Sequence, residues 1–358
     1  METTFKICNV LRNNVYNNLV YWKRTAIHLF SILVILMRKF LSKIMWFVLV
    51  FSIPFIVGMF LPATTRASKS ILYTSLQKDS LMKNVASPRI IFIGGSNVYF
   101  GIDGQIIKDS LRLNPINDGI YAGIGLVYMM ANALEYIKEN DIVVVVPEYH
   151  QFYNDYAYLG DVPELVNIIF NININKVRLL DLKQLIPVVT YLPRYSISKF
   201  SPNQYFNIKK DSKYFNIQQD SIYGVNSPNK YGNSYKHWTM KKKNFEPYWD
   251  MCTGDINISV IEKIKALETA IKNKKASLYI SYPGLQDSSY LNSKTGIKVM
   301  EFYFKKYGFN ILGTPERYIM PDSMLFDTPY HLNKKGMEYR TKLFIEDFKK
   351  AQATVGAK

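Results

Sequence analysis

An uninterrupted apolar run near the amino terminus divides this chain in two. Residues 44–62, IMWFVLVFSIPFIVGMFLP, contain no charged side chain. At about 1.5 Å per residue, a helix of this length covers roughly 28 Å, close to the thickness of the hydrocarbon layer of a bilayer. Pro54 and Gly58 interrupt the run, but membrane helices tolerate both residue types, and Trp46 is typical of a membrane interface. The run therefore predicts a transmembrane anchor. It begins too far along the chain to be a cleaved signal peptide.

The residues that precede the anchor are basic. Positions 1–43 contain seven lysines and arginines and one acidic residue. Basic segments stay on the cytoplasmic side of a membrane, so we expect residues 1–43 to form a cytoplasmic tail and the chain after residue 62 to be extracytoplasmic. A shorter apolar run, residues 26–37, favours a helix lying in the membrane interface. If this run spanned the membrane instead, the topology would be reversed.

Strands and helices alternate after a polar connector at residues 63–87. Short apolar runs at 90–93, 115–117 and 142–146 are typical of buried parallel strands, and the segments between them have helical patterns. This rhythm predicts an α/β fold with a parallel sheet and helices on both of its faces.

The rhythm breaks at about residue 153. It resumes with a helix near residue 255 and an apolar strand at 276–281. We therefore expect one domain over residues 88–358, with a long insertion at about 153–250 after the third strand. The last helix is expected at 333–350.

A serine follows the first strand of this domain. The run RIIFI ends at Gly94 and Gly95, which permit a tight turn that presents Ser96 at the carboxyl end of the strand. Open α/β sheets carry their chemistry at this edge. The same arrangement also serves simply to end a strand and cap a helix, so the turn alone leaves both interpretations open.

A second candidate motif precedes the last helix. Asp327 and His331 lie in a loop broken by Pro329, and Asn333 is a good capping residue for the helix that follows. A carboxylate four residues before a histidine can accept from Nδ1–H, which leaves Nε2 free to face a nucleophile. Serine needs such a base at neutral pH. Taken alone, the spacing also fits an ordinary surface pair.

Taken together, these motifs resemble the SGNH hydrolase superfamily, also called GDSL-like esterases. The resemblance rests on GGSN at 94–97, the glycine turn DGIYAGIG at 118–125, and D-x-x-x-H-L-N at 327–333. It is closest to the membrane-anchored acyltransferase branch, which includes the DltD protein of teichoic-acid D-alanylation and the alginate O-acetylation proteins. It implies a three-layer α/β/α, flavodoxin-like sheet in which Ser96 is the nucleophile, His331 the general base and Asp327 its orienting carboxylate.

The resemblance also implies an oxyanion hole. Gly123 is similar to the second-block glycine whose N–H joins that of Ser96, with Gly119 and Gly125 as competitors. The third block departs from the family pattern, because Pro147, Glu148, Tyr149 and His150 replace G-x-N-D. Either His150 or Asn154 then supplies the third donor, or the hole is weaker.

Substrate contacts are expected from two regions. Asn97 and Tyr149 flank the predicted catalytic turns, and the resemblance brings His237 and Trp238 to the rim of the site. Aromatic residues recur among lysines between residues 205 and 249, a composition that suits a polysaccharide. The same residues also fit an insertion that packs its tyrosines over the sheet and leaves its lysines solvated.

The function implied is an O-acyltransferase, most simply an O-acetyltransferase, that modifies an extracytoplasmic polysaccharide or cell-envelope glycan in a bacterial cytoplasmic membrane. A membrane-bound O-acyltransferase partner would supply the acyl group, and no cofactor or metal is expected. An extracytoplasmic carbohydrate esterase and a catalytically silent glycan-binding scaffold are the alternatives. The net charge of +17 suits an anionic neighbour, and no nucleic-acid-binding motif is present.

Overall fold

A single long helix forms the amino-terminal part of the chain. The computed structural model describes residues 2–205 and 221–356, with side chains over 18–205 and 221–354. Helix α1 (Glu2–Phe60) contains the first apolar run and all but the last two residues of the second, so residues 26–37 continue without a break into the predicted anchor. Within the described residues, only Asn18–Lys69 is long and apolar enough to cross a membrane. Its large apolar side chains, such as Phe30 and Phe47, are exposed. The chain divides after Val57 into two compact units.

The second unit alternates strands and helices. Its strands are β1 (Arg89–Gly94), β2 (Asn114–Asn117), β3 (Ile142–Val146), β4 (Ser277–Ser281), β5 (Leu285–Gln286), β6 (Ile311–Leu312) and β7 (Ile319–Met320). Its α-helices are α2 (Thr65–Lys69), α3 (Thr74–Asn84), α4 (Ser96–Tyr99), α5 (Gly104–Leu111), α6 (Leu126–Leu134), α7 (Tyr156–Leu159), α8 (Val162–Asn167), α9 (Leu182–Ser198), α10 (Ile258–Asn273), α11 (Asp287–Lys306) and α12 (Lys334–Gly356).

Five strands form one parallel sheet in the order β2-β1-β3-β4-β6. The predicted α/β fold with a parallel sheet is thus confirmed, and β3 has the predicted bounds. Ile90 is opposite Ile142 and Gly94 is opposite Val146, so β1 and β3 end at the same level. Within the described residues, β5 and β7 form a separate two-stranded parallel sheet.

Side chains of the sheet alternate between two hydrophobic clusters. Ile91, Ile93 and the strand residues in register with them pack with residues of α6, α10 and α11. Ile90 and Phe92 instead pack with residues of α5 and α12. Because both sets are buried, the strands are continuously apolar rather than alternating in polarity.

The connector is part of the second unit rather than a free tether. Lys78 in α3 is fully buried, and its Nζ donates hydrogen bonds of 2.7 Å to the carbonyl oxygens of Asn117 and Gly232. Leu72 and Met82 are buried in the larger of the two clusters. These contacts fasten residues 63–87 to the edge of the sheet beside β2.

A buried ion pair fixes the amino ends of the two central strands. Arg89 opens β1 and Asp141 precedes β3, and both side chains are fully buried. Arg89 Nε donates to Asp141 Oδ1 at 2.8 Å, and the remaining guanidinium nitrogens reach Asp141 Oδ2 and the carbonyl oxygens of Met82 and Tyr136. A buried charge costs little only when it is satisfied in this way.

Arg89→Ala should therefore be strongly destabilising. The substitution leaves the Asp141 carboxylate and two carbonyl groups buried without their donor, so we expect a loss of about 3–5 kcal/mol of unfolding free energy. Urea denaturation of the full chain in detergent measures it. Glu139→Gln, which breaks an exposed pair with Lys275 nearby, should cost less than about 1 kcal/mol. Equal effects of the two substitutions would contradict this account.

Candidate functional site

The candidate site lies at the carboxyl ends of β1 and β3. The chain enters the sheet at β1, proceeds to β2 on one side and then to β3 on the other, so the strand order reverses at β1. Crevices at such reversals are the usual ligand sites of open parallel sheets. Ser96 follows β1 and Glu148 follows β3, which brings the two loops together.

Two glycines allow this close approach. A Cβ atom on Gly94 would lie 2.5 Å from the carbonyl oxygen of Val146. A Cβ atom on Gly95 would lie 2.7 Å from Glu148 Oε1 and 2.8 Å from the Cβ of Ala122. Ser96 is the first residue of α4, so its backbone N–H has no partner inside that helix. The turn therefore presents both a hydroxyl and a free amide donor.

Ser96 lines a cavity of about 760 Å³. His331 lines the same cavity, so the two predicted residues face one common space. The other lining residues are mainly aromatic or aliphatic, and they include Ile71, Leu72, Ile120, Tyr121, Tyr156, Tyr223, Tyr248, Met251 and Tyr330. Glu148, His150, Glu164 and Thr328 add polar groups.

Asp327 and His331 form a buried hydrogen-bonded pair. Asp327 Oδ1 lies 2.8 Å from His331 Nδ1, and the Tyr223 hydroxyl donates to Asp327 Oδ2 at 2.6 Å. The Phe100 ring stacks on the imidazole with 4.2 Å between ring centroids. With Nδ1–H engaged by the carboxylate, Nε2 is the nitrogen left to accept a proton.

The charge state of Asp327 suits this pairing. Burial favours its protonated form, but the hydrogen bonds from His331 and Tyr223 and the charge of Lys243, 3.6 Å away, outweigh burial and lower its pKa. The carboxylate therefore stays ionised at neutral pH and can orient the imidazole and stabilise its protonated form.

The pKa of Glu148 is shifted in the opposite direction. Burial raises its pKa to about 7, and the backbone N–H of Asn97, 3.4 Å from Oε1, compensates only partly. Burial likewise lowers the pKa of His150 to about 4. At neutral pH the loop after β3 thus presents a neutral imidazole and a carboxyl group that is about half protonated.

The second-block residues are arranged differently from the prediction. Ala122, not Gly123, lines the cavity beside Ser96. Gly123 lies behind it, where an added Cβ would meet the Tyr121 ring and the Asp161 carboxylate. The competitors Gly119 and Gly125 do not line the described cavity either. An added Cβ on Gly119 would lie 2.7 Å from the Gly95 carbonyl oxygen, and Gly125 is the residue before α6.

The two alternatives for the third oxyanion donor, His150 and Asn154, have different surroundings in the structure. His150 lines the cavity, whereas Asn154 is exposed, has φ of 55°, and accepts a hydrogen bond from Asn257 through its carbonyl oxygen. Within the described residues, only His150 of these two can reach a molecule held beside Ser96.

The four predicted substrate contacts are not part of the described cavity lining. Asn97 Nδ2 donates to the Val146 carbonyl oxygen at 2.9 Å and so ties α4 to β3. Tyr149 is buried against Tyr282. His237 is buried between Ser234 and the Leu332 carbonyl oxygen, and Trp238 packs against Tyr235 and Lys334. Their contacts in the structure are those of residues that position the loops.

Sequence reasoning missed Tyr223 and Glu148 as site residues. Tyr223 is one of several tyrosines of the insertion, and nothing in its local sequence distinguishes it from Tyr231 or Tyr235; Tyr214 lies outside the described residues. Glu148 did carry a signal, because a carboxylate directly after four valines and a proline stands at the carboxyl end of a buried strand.

No protein-family model matches the sequence, and no curated protein is significantly similar to it.

The raised pKa of Glu148 predicts a pH-dependent stability. The unfolded chain ionises this carboxyl near pH 4.5, whereas the folded chain holds the proton to about pH 7. Raising the pH through this interval therefore favours unfolding, by up to roughly 3 kcal/mol. Glu148→Gln keeps an acceptor for the Asn97 N–H, so it should be nearly neutral at pH 5 and stabilising at pH 8.

Urea denaturation of both proteins at pH 5 and pH 8 checks this. Only the difference between variant and wild type is compared, because other buried groups also titrate. Glu139→Gln, at an exposed position, should follow the wild type at both pH values. A variant that is destabilised equally at both pH values would show that burial of Glu148 does not perturb its proton affinity.

Proposed function

We propose that residues 88–358 form an SGNH-like domain, with three layers and the insertion after β3, and that the protein is a membrane-anchored O-acyltransferase. The observation that carries the proposal is a shared cavity. Ser96, at the end of β1, and His331, already paired with an ionised Asp327, line one largely apolar cavity. A hydroxyl, a base and an orienting carboxylate are the groups that acyl transfer through serine needs.

The chemistry proceeds in two half-reactions. Ser96 Oγ gives its proton to His331 Nε2 and attacks the acyl carbonyl carbon of the donor, and the tetrahedral intermediate collapses as His331 returns the proton to the leaving oxygen. A glycan hydroxyl then gives its proton to His331 and attacks the Ser96 ester. Collapse of the second intermediate transfers the acyl group to the glycan and restores the Ser96 hydroxyl.

The oxyanion would be held by backbone and side-chain donors near Ser96. The Ser96 N–H is one donor. The second block contributes through the turn at Ala122, which neighbours Ser96. We assign the third position to His150, which is neutral at neutral pH and keeps one N–H for donation. Loss of one such donor costs roughly 3 kcal/mol of transition-state stabilisation.

Transfer rather than hydrolysis is favoured by the surroundings of Ser96. Aromatic and aliphatic side chains make up most of the cavity wall, and a dry site protects an acyl-enzyme from water. The long apolar helix α1 suits a location beside a membrane protein. We therefore propose an extracytoplasmic glycan as acceptor and a membrane-bound O-acyltransferase as the source of the acyl group, in a bacterial cytoplasmic membrane with the amino terminus inside.

Ser96→Ala should abolish the acyl-enzyme. Cells carrying this variant should lose glycan O-acylation to the level of a deletion strain, and the purified full chain should no longer gain an acyl group from an activated ester such as p-nitrophenyl acetate. Ser80→Ala, an exposed serine in α3, is the control and should behave as wild type.

Three results would contradict the proposal or favour one of the alternatives. Unchanged acylation in the Ser96→Ala cells would contradict the transferase, and increased acylation would indicate an esterase. A wild-type chain that forms no adduct on Ser96, as judged by mass spectrometry, would favour a glycan-binding scaffold.

Tyr223 should assist the base through Asp327. Asp327→Asn removes the anion that orients His331, and we expect a fall of roughly 10³-fold or more in the rate of ester cleavage. Tyr223→Phe removes one hydrogen bond to that anion and should cost about tenfold, the effect of a single bond to a charged group. Tyr235→Phe, in the same insertion, should leave the rate unchanged. Equal losses of rate for Tyr223→Phe and Tyr235→Phe would show that Tyr223 does not assist the base.

A further inference from the structure

Helix α9 exposes an apolar face. Leu182, Ile186 and Val189 are 76, 69 and 53 % exposed, and Leu185 lies on the same stripe. Ile197 and Phe200, the last just beyond the helix, continue the stripe two turns after Val189. The opposite face, with Gln184, Val188 and Tyr195, is buried in the domain. The stripe, which we call the α9 apolar face, is therefore a surface feature and not part of the core.

The carboxyl-terminal end of α9 is fastened to the end of α1. A Cβ atom on Gly58, in the last turn of α1, would lie 2.3 Å from the Ser196 carbonyl oxygen and 3.0 Å from the Phe200 ring. Lys199 is 2 % exposed, and its Nζ donates to the carbonyl oxygens of Leu61 and Pro62 at 3.0 and 3.1 Å. These bonds satisfy carbonyl groups that the end of a helix leaves free.

The attachment places one end of the α9 apolar face next to the candidate membrane span. That span includes Gly58, Leu61 and Pro62, which contact Ser196, Phe200 and Lys199. A helix that starts at the bilayer surface and presents aliphatic side chains along about 25 Å matches an interfacial helix. Between Leu182 and Ser198, α9 contains two basic residues, Lys183 and Arg194, and no acidic one, which suits phospholipid headgroups.

We propose that the α9 apolar face lies in the interface of the membrane that α1 crosses, as a second lipid contact of the protein. Leu182, Ile186 and Val189 enter the boundary between headgroups and acyl chains, and Arg194 reaches phosphate groups. The proposal rests on α1 being embedded in lipid and does not depend on the chemistry of Ser96.

Photocrosslinking of the full chain in nanodiscs of phosphatidylcholine and phosphatidylglycerol tests this. The test protein carries the photoreactive substitution Ile186→p-benzoylphenylalanine. A second protein, with Phe302→p-benzoylphenylalanine, is the control. Phe302 is 60 % exposed, on α11. After irradiation we expect phospholipid adducts at position 186, detected by mass spectrometry, at about ten times the yield at position 302.

A second test introduces negative charge into the face while the photoreactive probe is at another position. With p-benzoylphenylalanine at position 182, the double substitution Ile186→Asp and Val189→Asp should lower the lipid adduct about tenfold, because carboxylates are excluded from the boundary. Both side chains are exposed in the domain, so the thermal unfolding midpoint should not change.

Two outcomes overturn the proposal. Crosslinks at position 186 to a second protein chain, without lipid adducts, would show that the face docks a protein. Equal and low adduct yields at positions 186 and 302 would show that the face remains in water.

Discussion

The site depends on the parallel pairing of β1 with β3. Because Gly94 is opposite Val146, both strands end at one level, and the residues that follow them meet above the sheet. Only glycine fits at positions 94 and 95, where the Val146 carbonyl oxygen, Ala122 and Glu148 leave no room for a side chain. The Arg89–Asp141 pair fixes the opposite ends of the same two strands. A shift of this register by one residue would separate Ser96 from the loop after β3.

The pKa values of two carboxyl groups at this edge are shifted in opposite directions. Asp327 receives hydrogen bonds from His331 and Tyr223 and faces Lys243, so it stays ionised. Glu148 is buried, and the hydrogen bond from the Asn97 N–H compensates only partly, so its pKa rises to about 7. One cavity therefore offers a fixed negative charge behind the imidazole and a carboxyl group that is about half protonated at neutral pH. Such separation is typical of sites in which acid and base roles are divided.

Much of this could be read from the sequence, for a physical reason. Buried parallel strands are continuously apolar, so residues 142–146 and 90–93 are located by composition alone, and glycine turns and helix caps mark the ends. The pairing of Asp327 with His331 is local in the chain, and its spacing predicts it. Continuity of α1 is not readable in this way, because the charged residues between its two apolar runs are as compatible with a break as with a helix.

What could not be predicted comes from residues distant in the chain. Tyr223 reaches Asp327 across about a hundred positions, and only the path of the insertion brings them together. Which residue of the glycine turn faces Ser96 depends on a short 3-10 helix at Ala122–Ile124, whose geometry places Ala122 forward and Gly123 behind. Sequence patterns indicate that a turn is present, but tertiary packing decides that Ala122 lies against Gly95 and Gly123 against Asp161.

The membrane segment and the cavity are joined by a short length of chain. Ser70, Ile71 and Leu72, about ten residues after α1, form part of the cavity wall, and α3 directly after them is held by the buried Lys78. The connector is thus a wall of the site as well as the attachment of the anchor.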